Sequence, residues 1–467
     1  MPPLIAFLLW FVCLMGVFLF DPAKVSKPSL ALWVPLFWMF IIASRLPSQW
    51  IGGSWGAASE SVEEGNPLDR AIFALLILIA IAILMLRSFR WNDFFARNLV
   101  LVCFLLFALM SVLWSDFPFV SFKRWFRDFG DYLAVLIVLS DARPMDAFST
   151  MLRRLCYSLI PLSILVIKYY PQIGKQYEIW SGASVFVGVS TSKNMLGVIC
   201  LIAGIYFFWD TLTRWPDRKE RRTKRAIYVN VAMIGMTLWL LKLANSATSK
   251  VCLALGCLVI GAAHTRMIKR NPVLLKTLIP VCFVAYMFLE TFFNINAGLA
   301  GAVGRNSTLT GRTDLWKLLL SMHINPLIGT GYESFWLGPR LTWIYQRFAV
   351  VNEAHNGYLE IYLNLGIVGL SLLVLFLISS YRNICRQLSS RSSLASLSLG
   401  LWTVLLFYNV TEAAFKCSQL MWLIFLLGVI SVSGRGEDRV RDFAPLPKTP
   451  ATEPFPMLPL EPTGSRR

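Results

Sequence analysis

The sequence predicts an all-α polytopic membrane protein with about 12–13 transmembrane helices and one large external loop containing short helices, and three observations carry that expectation. Of 467 residues, 56% are hydrophobic and 15% charged, whereas soluble domains run near 45–50% and about 25%; the mean hydropathy is +0.61. The apolar residues gather into runs of spanning length separated by short polar stretches. The formal net charge of +18 divides unevenly between alternate loops, which argues for a membrane address and against a nucleic-acid partner.

A helix needs about 20 apolar residues to cross about 30 Å of hydrocarbon. Thirteen runs qualify as candidates, near 4–20, 30–44, 69–87, 98–114, 128–140, 156–170, 195–210, 226–243, 250–264, 273–294, 357–380, 395–410 and 413–433. Those at 30–44, 128–140 and 156–170 are short, and 128–140 opens on Asp128 and Asp131. The first run lacks a positive n-region and a clear cleavage site, so it reads as an uncleaved anchor rather than a signal peptide. The organisation expected is an extra N-terminal span and cytoplasmic loop (1–29), the spans before the large loop (30–294), a large periplasmic loop (295–356), the C-terminal spans (357–433) and a disordered, Pro-rich cytoplasmic tail (434–467).

With alternate loops on opposite sides, one set holds Lys24, Lys27, Arg87, Arg90, Arg97, the cluster from Arg214 to Arg225, Arg382, Arg386 and the tail, and carries +16 of the total; the other carries +2. The positive-inside rule makes the first set cytoplasmic. The nine cysteines form no CxxC pair or spaced framework, and with His264, His323 and His355 as the histidines a metal cluster is not expected.

Within the large loop, TDLWKLLLSMH places Leu315, Trp316, Leu319, Leu320 and Met322 near helical spacing, as in an amphipathic helix on the outer interface, and NPLIGTGYESF reads as turns. Basic groups on the external side need a reason. Lys123, Arg124 and Arg127 stand at the mouth of the span carrying Asp128 and Asp131, either as an ion-pair cluster or as an anion site. Lys193 and Lys250 each follow a Ser/Thr cluster and open an apolar run; each is either a phosphate seat at a helix start or a snorkelling anchor. His355 precedes a span and is flanked by Glu353, Asn356 and Glu360. Its near-neutral pKa suits proton abstraction from a sugar hydroxyl, and Glu353 or Glu360 can orient the ring.

The pattern around His355 resembles the O-antigen ligase and O-antigen polymerase family of bacterial multi-span glycosyltransferases: His355-Asn356, nine residues, Gly366, two residues, Gly369. The resemblance extends to Arg312 upstream of Leu315-Trp316, to the Pro326-x-x-Gly329-x-Gly331 turn, to Trp114-Ser115 with Arg124, and to the segment from Ser192 to Gly197, and it covers about residues 30–433. Lys250 stands where an Arg is common, and Lys193-Asn194 is closer to the exopolysaccharide-polymerase branch than to lipid A-core ligases.

The resemblance implies transfer of glycan from a polyprenyl-diphosphate donor to an acceptor sugar hydroxyl on the periplasmic face of the bacterial inner membrane, in surface polysaccharide (lipopolysaccharide or exopolysaccharide) biosynthesis. His355 is then the base, assisted by Glu353. Arg312, Lys193, Asn194, Lys250, Arg124, Arg127 and Asn356 bind substrate and stabilise the leaving diphosphate without metal or cofactor. The implied partners are the lipid-linked glycan, an acceptor glycan or glycolipid, membrane lipid, chain-length regulators and other assembly proteins. Gly366 and Gly369 are expected to permit close helix approach. Two other classes compete: a glycan transporter or flippase, which Asp128, Asp131 and Glu290 suit but the lack of repeat halves does not, and a membrane acyltransferase.

Overall fold

The computed structural model describes residues 1–21, 29–52, 65–87, 89–177, 182, 184–293, 308–348, 351–389, 393–416 and 418–431. The tail expected to be disordered, 434–467, lies outside these residues, as do Cys417 and the first part of the large loop. Among the described residues the regular secondary structure is helical apart from one antiparallel ribbon, Lys175–Tyr177 with Ser184–Phe186. The chain is a multi-pass all-α membrane protein. Among the described residues nine helices are long and apolar enough to cross a membrane, including Pro3–Phe20, Pro67–Leu86, Pro144–Tyr169, Ala247–His264 and Gly357–Leu388. A bent pair, Trp91–Arg97 with Leu99–Trp114, adds a tenth, and Leu30–Ala43 and Leu420–Val429 are shorter apolar helices.

Each apolar run read from the sequence falls on a helix, and the short runs are where bounds moved. The run at 128–140 belongs to Pro118–Leu139, which starts ten residues earlier with the basic segment inside it. The run at 156–170 is the second half of Pro144–Tyr169, and that at 413–433 is helical only over Leu420–Val429. Apolar residues surround the outer helices, so hydropathy alone does not distinguish helices facing acyl chains from those facing protein. Pro144–Tyr169, Lys193–Arg214 and Ser393–Thr411 are mostly buried inside the bundle, whereas Pro3–Phe20 and Val273–Phe293 expose most of their length. The first helix is nonetheless tied in, since buried Arg153 holds Asp21 at 3.0 Å beyond its end.

The large loop has a core of its own. Leu315 and Leu319 of Thr308–Leu320 are buried with Phe335, Trp336, Ile344 and Leu363, and the Trp316 indole donates to the Ala354 carbonyl at 2.8 Å. Of the amphipathic stripe expected on the outer interface, Leu315 and Leu319 pack against Gly338–Arg347 and the 335–337 segment, while Leu320 stays exposed.

The helix Gly357–Ser389 is broken at Gly366, whose φ of 64° and ψ of −166° lie in a region nearly exclusive to glycine. A Cβ there would stand 2.2 Å from the Leu327 carbonyl oxygen. The break frees backbone groups that the Pro-x-x-Gly-x-Gly turn then satisfies: Thr330 N donates to Leu363 O, Gly331 N to Asn364 O, Ile367 N to Pro326 O and Val368 N to Leu327 O. The other face of this turn is seated by Trp114, donating to Ile328 O at 3.1 Å, and by Ser111, accepting from Tyr332 N. Thus motifs widely separated in sequence interlock at one end of the bundle.

Candidate active site

Several elements converge on Glu412, which caps the end of Ser393–Thr411. Asn409 accepts from Ala414 N and Phe415 N at 2.7 and 2.8 Å and so fixes the turn after that helix. Gly357 N donates to Glu412 O at 3.0 Å, tying the turn to the start of the preceding span, Gly357–Ser389. The buried Glu412 carboxylate then accepts from Arg312 at 3.1 Å and from Asn194 Nδ2 at 3.3 Å, and Arg312 also donates to the Thr411 carbonyl. Thr248 and Thr411 share a hydroxyl hydrogen bond of 3.1 Å, which brings the start of Ala247–His264 to the same place.

His355 faces this group in a left-handed conformation, φ 49°, uncommon for a residue with a side chain. Its Nδ1 stands 3.0 Å from Glu353 Oε1 and 3.7 Å from Glu412 Oε2, an ion-pair approach without the alignment of a hydrogen bond. Burial lowers the basicity of the ring, but Glu353 and Glu412 outweigh it and raise the pKa to about 9. Burial likewise works against the charged form of Glu353, yet His355, Lys416 and Arg312 hold its pKa below the usual carboxylate value. Ring and carboxylate are therefore both charged at neutral pH. Glu353, His355 and Glu412 also offer ligand atoms within 4.8 Å of one another, close enough to share a cation.

Of the residues singled out from the sequence, the fold gathers His355, Glu353, Arg312 and Asn194 around Glu412 and gives the others different work. Asn356 is spent on the backbone: its Oδ1 accepts from Tyr358 N and Leu359 N at 3.0 and 3.1 Å, an N-cap. Glu360 does not orient the ring; it accepts from the Trp336 indole at 2.7 Å and from Ala354 N at 2.9 Å, so the orienting carboxylates are Glu353 and the unforeseen Glu412. Arg127 pairs with Asp128 at 3.0 Å, and Arg124 donates to the Glu333 carbonyl at 2.6 Å, which favours the ion-pair reading of that cluster over an anion site. Asp128 further accepts from Tyr332 and Ser418, and Asp131 from Trp38 and Ser418 N.

Lys193 begins the helix Lys193–Arg214, which Ser192 caps by accepting from Met195 N, and Ser246 caps Ala247–His264. The two helix starts lie against each other at Gly197, where a Cβ would meet Ser249 Oγ at 2.5 Å. Lys250 donates to Asn245 Oδ1 at 2.9 Å. Glu412 had one sequence signal, an acid in NVTEAAF between two apolar runs. Its importance comes from the convergence of segments far apart in the chain.

Residues 231–374 match the O-antigen ligase family. That stretch contains Lys250, Arg312, Glu353, His355, Gly366 and Gly369, and it stops short of Glu412. The chain is also similar to the exopolysaccharide production protein ExoQ of Rhizobium meliloti (strain 1021), 26% identical over 311 residues that make up 63% of this chain and 67% of that protein. The resemblance read from the His355 region is borne out: part of the chain is similar to O-antigen ligases, and a larger part to a protein of exopolysaccharide production.

Proposed function

We propose that the protein is a glycosyltransferase of surface polysaccharide assembly that moves glycan from a polyprenyl-diphosphate donor to an acceptor sugar hydroxyl, with its site on the periplasmic face of the inner membrane. The observation that carries this reading is His355 held by Glu353 and Glu412 beside Arg312. The acceptor oxygen forms a bond to the anomeric carbon as the bond from that carbon to the diphosphate oxygen breaks. The hydroxyl proton passes to His355, and the diphosphate leaves with the bonding pair. A single displacement of this kind inverts the anomeric centre.

With Nδ1 turned toward Glu353, the Nε2 lone pair of the neutral ring is the atom that accepts the proton. Arg312 and the starts of Lys193–Arg214 and Ala247–His264 supply positive charge and helix N-termini for the diphosphate. Arg312 and Asn194 already engage the Glu412 carboxylate, which supports a reaction run by side chains without a metal. Polar groups gathered at one end of the bundle favour transfer over carriage by a transporter, whose site belongs near midplane.

The test is reconstitution. The purified protein in liposomes, given lipid-linked glycan extracted from a strain lacking the gene, is expected to lengthen or transfer that glycan equally with and without EDTA. No transfer overturns the reading, and transfer that EDTA abolishes and a divalent cation restores overturns its metal independence. The glycan of the deletion strain separates the two branches, since single repeat units indicate lost polymerisation and long carrier-bound chains indicate lost ligation.

A further inference from the structure

A small cavity, walled largely by apolar side chains with a few charged groups among them, adjoins this site. Its volume is about 30 Å³, room for about two waters. Its polar lining includes Glu333, Glu360, Asn364 and Lys416, and Trp125 and Tyr332 are among its aromatic walls. Glu360 and Asn364 are saturated: Glu360 by Trp336 and Ala354 N, Asn364 by the Glu360 carbonyl and Phe335 N.

Lys416 and Glu333 are not. Among the described residues, neither the ammonium nor the carboxylate closes a hydrogen bond or an ion pair, although the two interact electrostatically. Glu333 is held at a φ of 51°, a conformation that L side chains rarely adopt, with its carbonyl fixed by Arg124. A charged donor and a charged acceptor thus face two waters' worth of space without neutralising each other. Lys416 also interacts with Glu353, the partner of His355, so the cavity lies within electrostatic reach of the reacting centre.

We propose that this cavity is the acceptor subsite, receiving the hydroxyl-bearing edge of an uncharged sugar, with Lys416 donating to and Glu333 accepting from adjacent hydroxyls that replace the two waters. The assignment rests on the glycosyl-transfer reading. Charge decides between donor and acceptor: the lining carboxylates Asp128, Glu333 and Glu360 are balanced by Lys416, by Arg127 paired with Asp128 and by Arg124 beside Glu333, so the cavity offers no excess positive charge to seat a diphosphate, while Arg312 and Asn194 gather at Glu412. Arg124 is then a positioning residue acting through Glu333.

The probe is the repeat-unit oligosaccharide released from its lipid carrier by mild acid, which has no diphosphate. Titrated calorimetrically into the purified full-length protein, it is expected to bind wild type. Lys416→Gln and Glu333→Gln are each expected to weaken binding at least tenfold, the effect of losing a hydrogen bond to a charged group, and Arg312→Gln to change it by less than about twofold. Thermal melting of each variant separates lost binding from lost folding, and the two cavity variants check each other. Unchanged affinity in both cavity variants, an equal loss in Arg312→Gln, or no binding to wild type at millimolar concentration would overturn the assignment. In the transfer assay, an inactive wild type defeats glycosyl transfer itself. An active wild type whose acceptor KM is unmoved by Lys416→Gln and Glu333→Gln defeats the subsite alone.

Discussion

His355 is faced by Glu353 and Glu412, and Glu412 in turn is held by Arg312 and Asn194. The two carboxylates strengthen the ring as a base and keep it protonated at neutral pH, with a pKa of about 9. If the neutral ring takes the acceptor proton, transfer rises with pH toward about 9 and then levels. Glu353→Gln removes a negative charge, lowers the ring's pKa, and so moves the rising limb to lower pH while reducing the plateau rate. A pH–rate profile checks both, and a rate that falls through pH 9 would make the imidazolium the working form. Arg312→Lys keeps the charge but loses the planar fork that spans Thr411 O and Glu412. It is expected to slow turnover about tenfold or more, the loss of a charge-assisted hydrogen bond, as read in the same liposome assay. At this scale His355, Glu353, Asn194 and Arg312 were legible, because a motif or a flanking carboxylate marked them. Glu412, Lys416 and Glu333 were not, since each acquires its role from partners more than fifty residues away.

The broken span Gly357–Ser389 and the turn at 326–331 are one device. The helix gives up its own hydrogen bonds at Gly366, and the turn replaces them. Gly366→Ala forces a side chain into a conformation that alone costs about 1–3 kcal/mol and into the Leu327 carbonyl. Lower thermal stability is expected in a detergent melting assay, with transfer reduced as the turn carrying Tyr332 and Glu333 shifts. An unchanged melting temperature would contradict the account of the break. The sequence reading assigned Gly366 to close approach, which the Leu327 contact agrees with. It did not foresee the break, because the run on either side of Gly366 is largely apolar and nothing in its spacing departs from a continuous helix. It read Leu315 and Leu319 as part of an interfacial amphipathic stripe and did not foresee their burial with Phe335 and Trp336, since such a stripe does not say which apolar surface it meets.

Over the whole molecule, the apolar runs made the all-α membrane architecture readable, while the division into buried and outer helices was hidden by hydropathy common to both. The charge division, +16 against +2, yields a topological expectation. A cysteine replacing exposed Gln346, in the helix Gly338–Arg347, should react with an impermeant maleimide in intact cells with a permeable outer membrane. One replacing exposed Lys219 should react only after the inner membrane is opened. The reverse pattern would invert the orientation and remove the site from the periplasm. Orientation matters to the proposed reaction, because a periplasmic site has no nucleotide energy to draw on and the glycosyl–diphosphate bond of the proposed donor would have to drive transfer. The most direct measurement is the single-turnover transfer rate of purified His355→Ala from lipid-linked donor. A loss of about 10²–10⁴-fold with wild-type melting behaviour and donor binding is expected, and near wild-type transfer would contradict His355 as the proton acceptor.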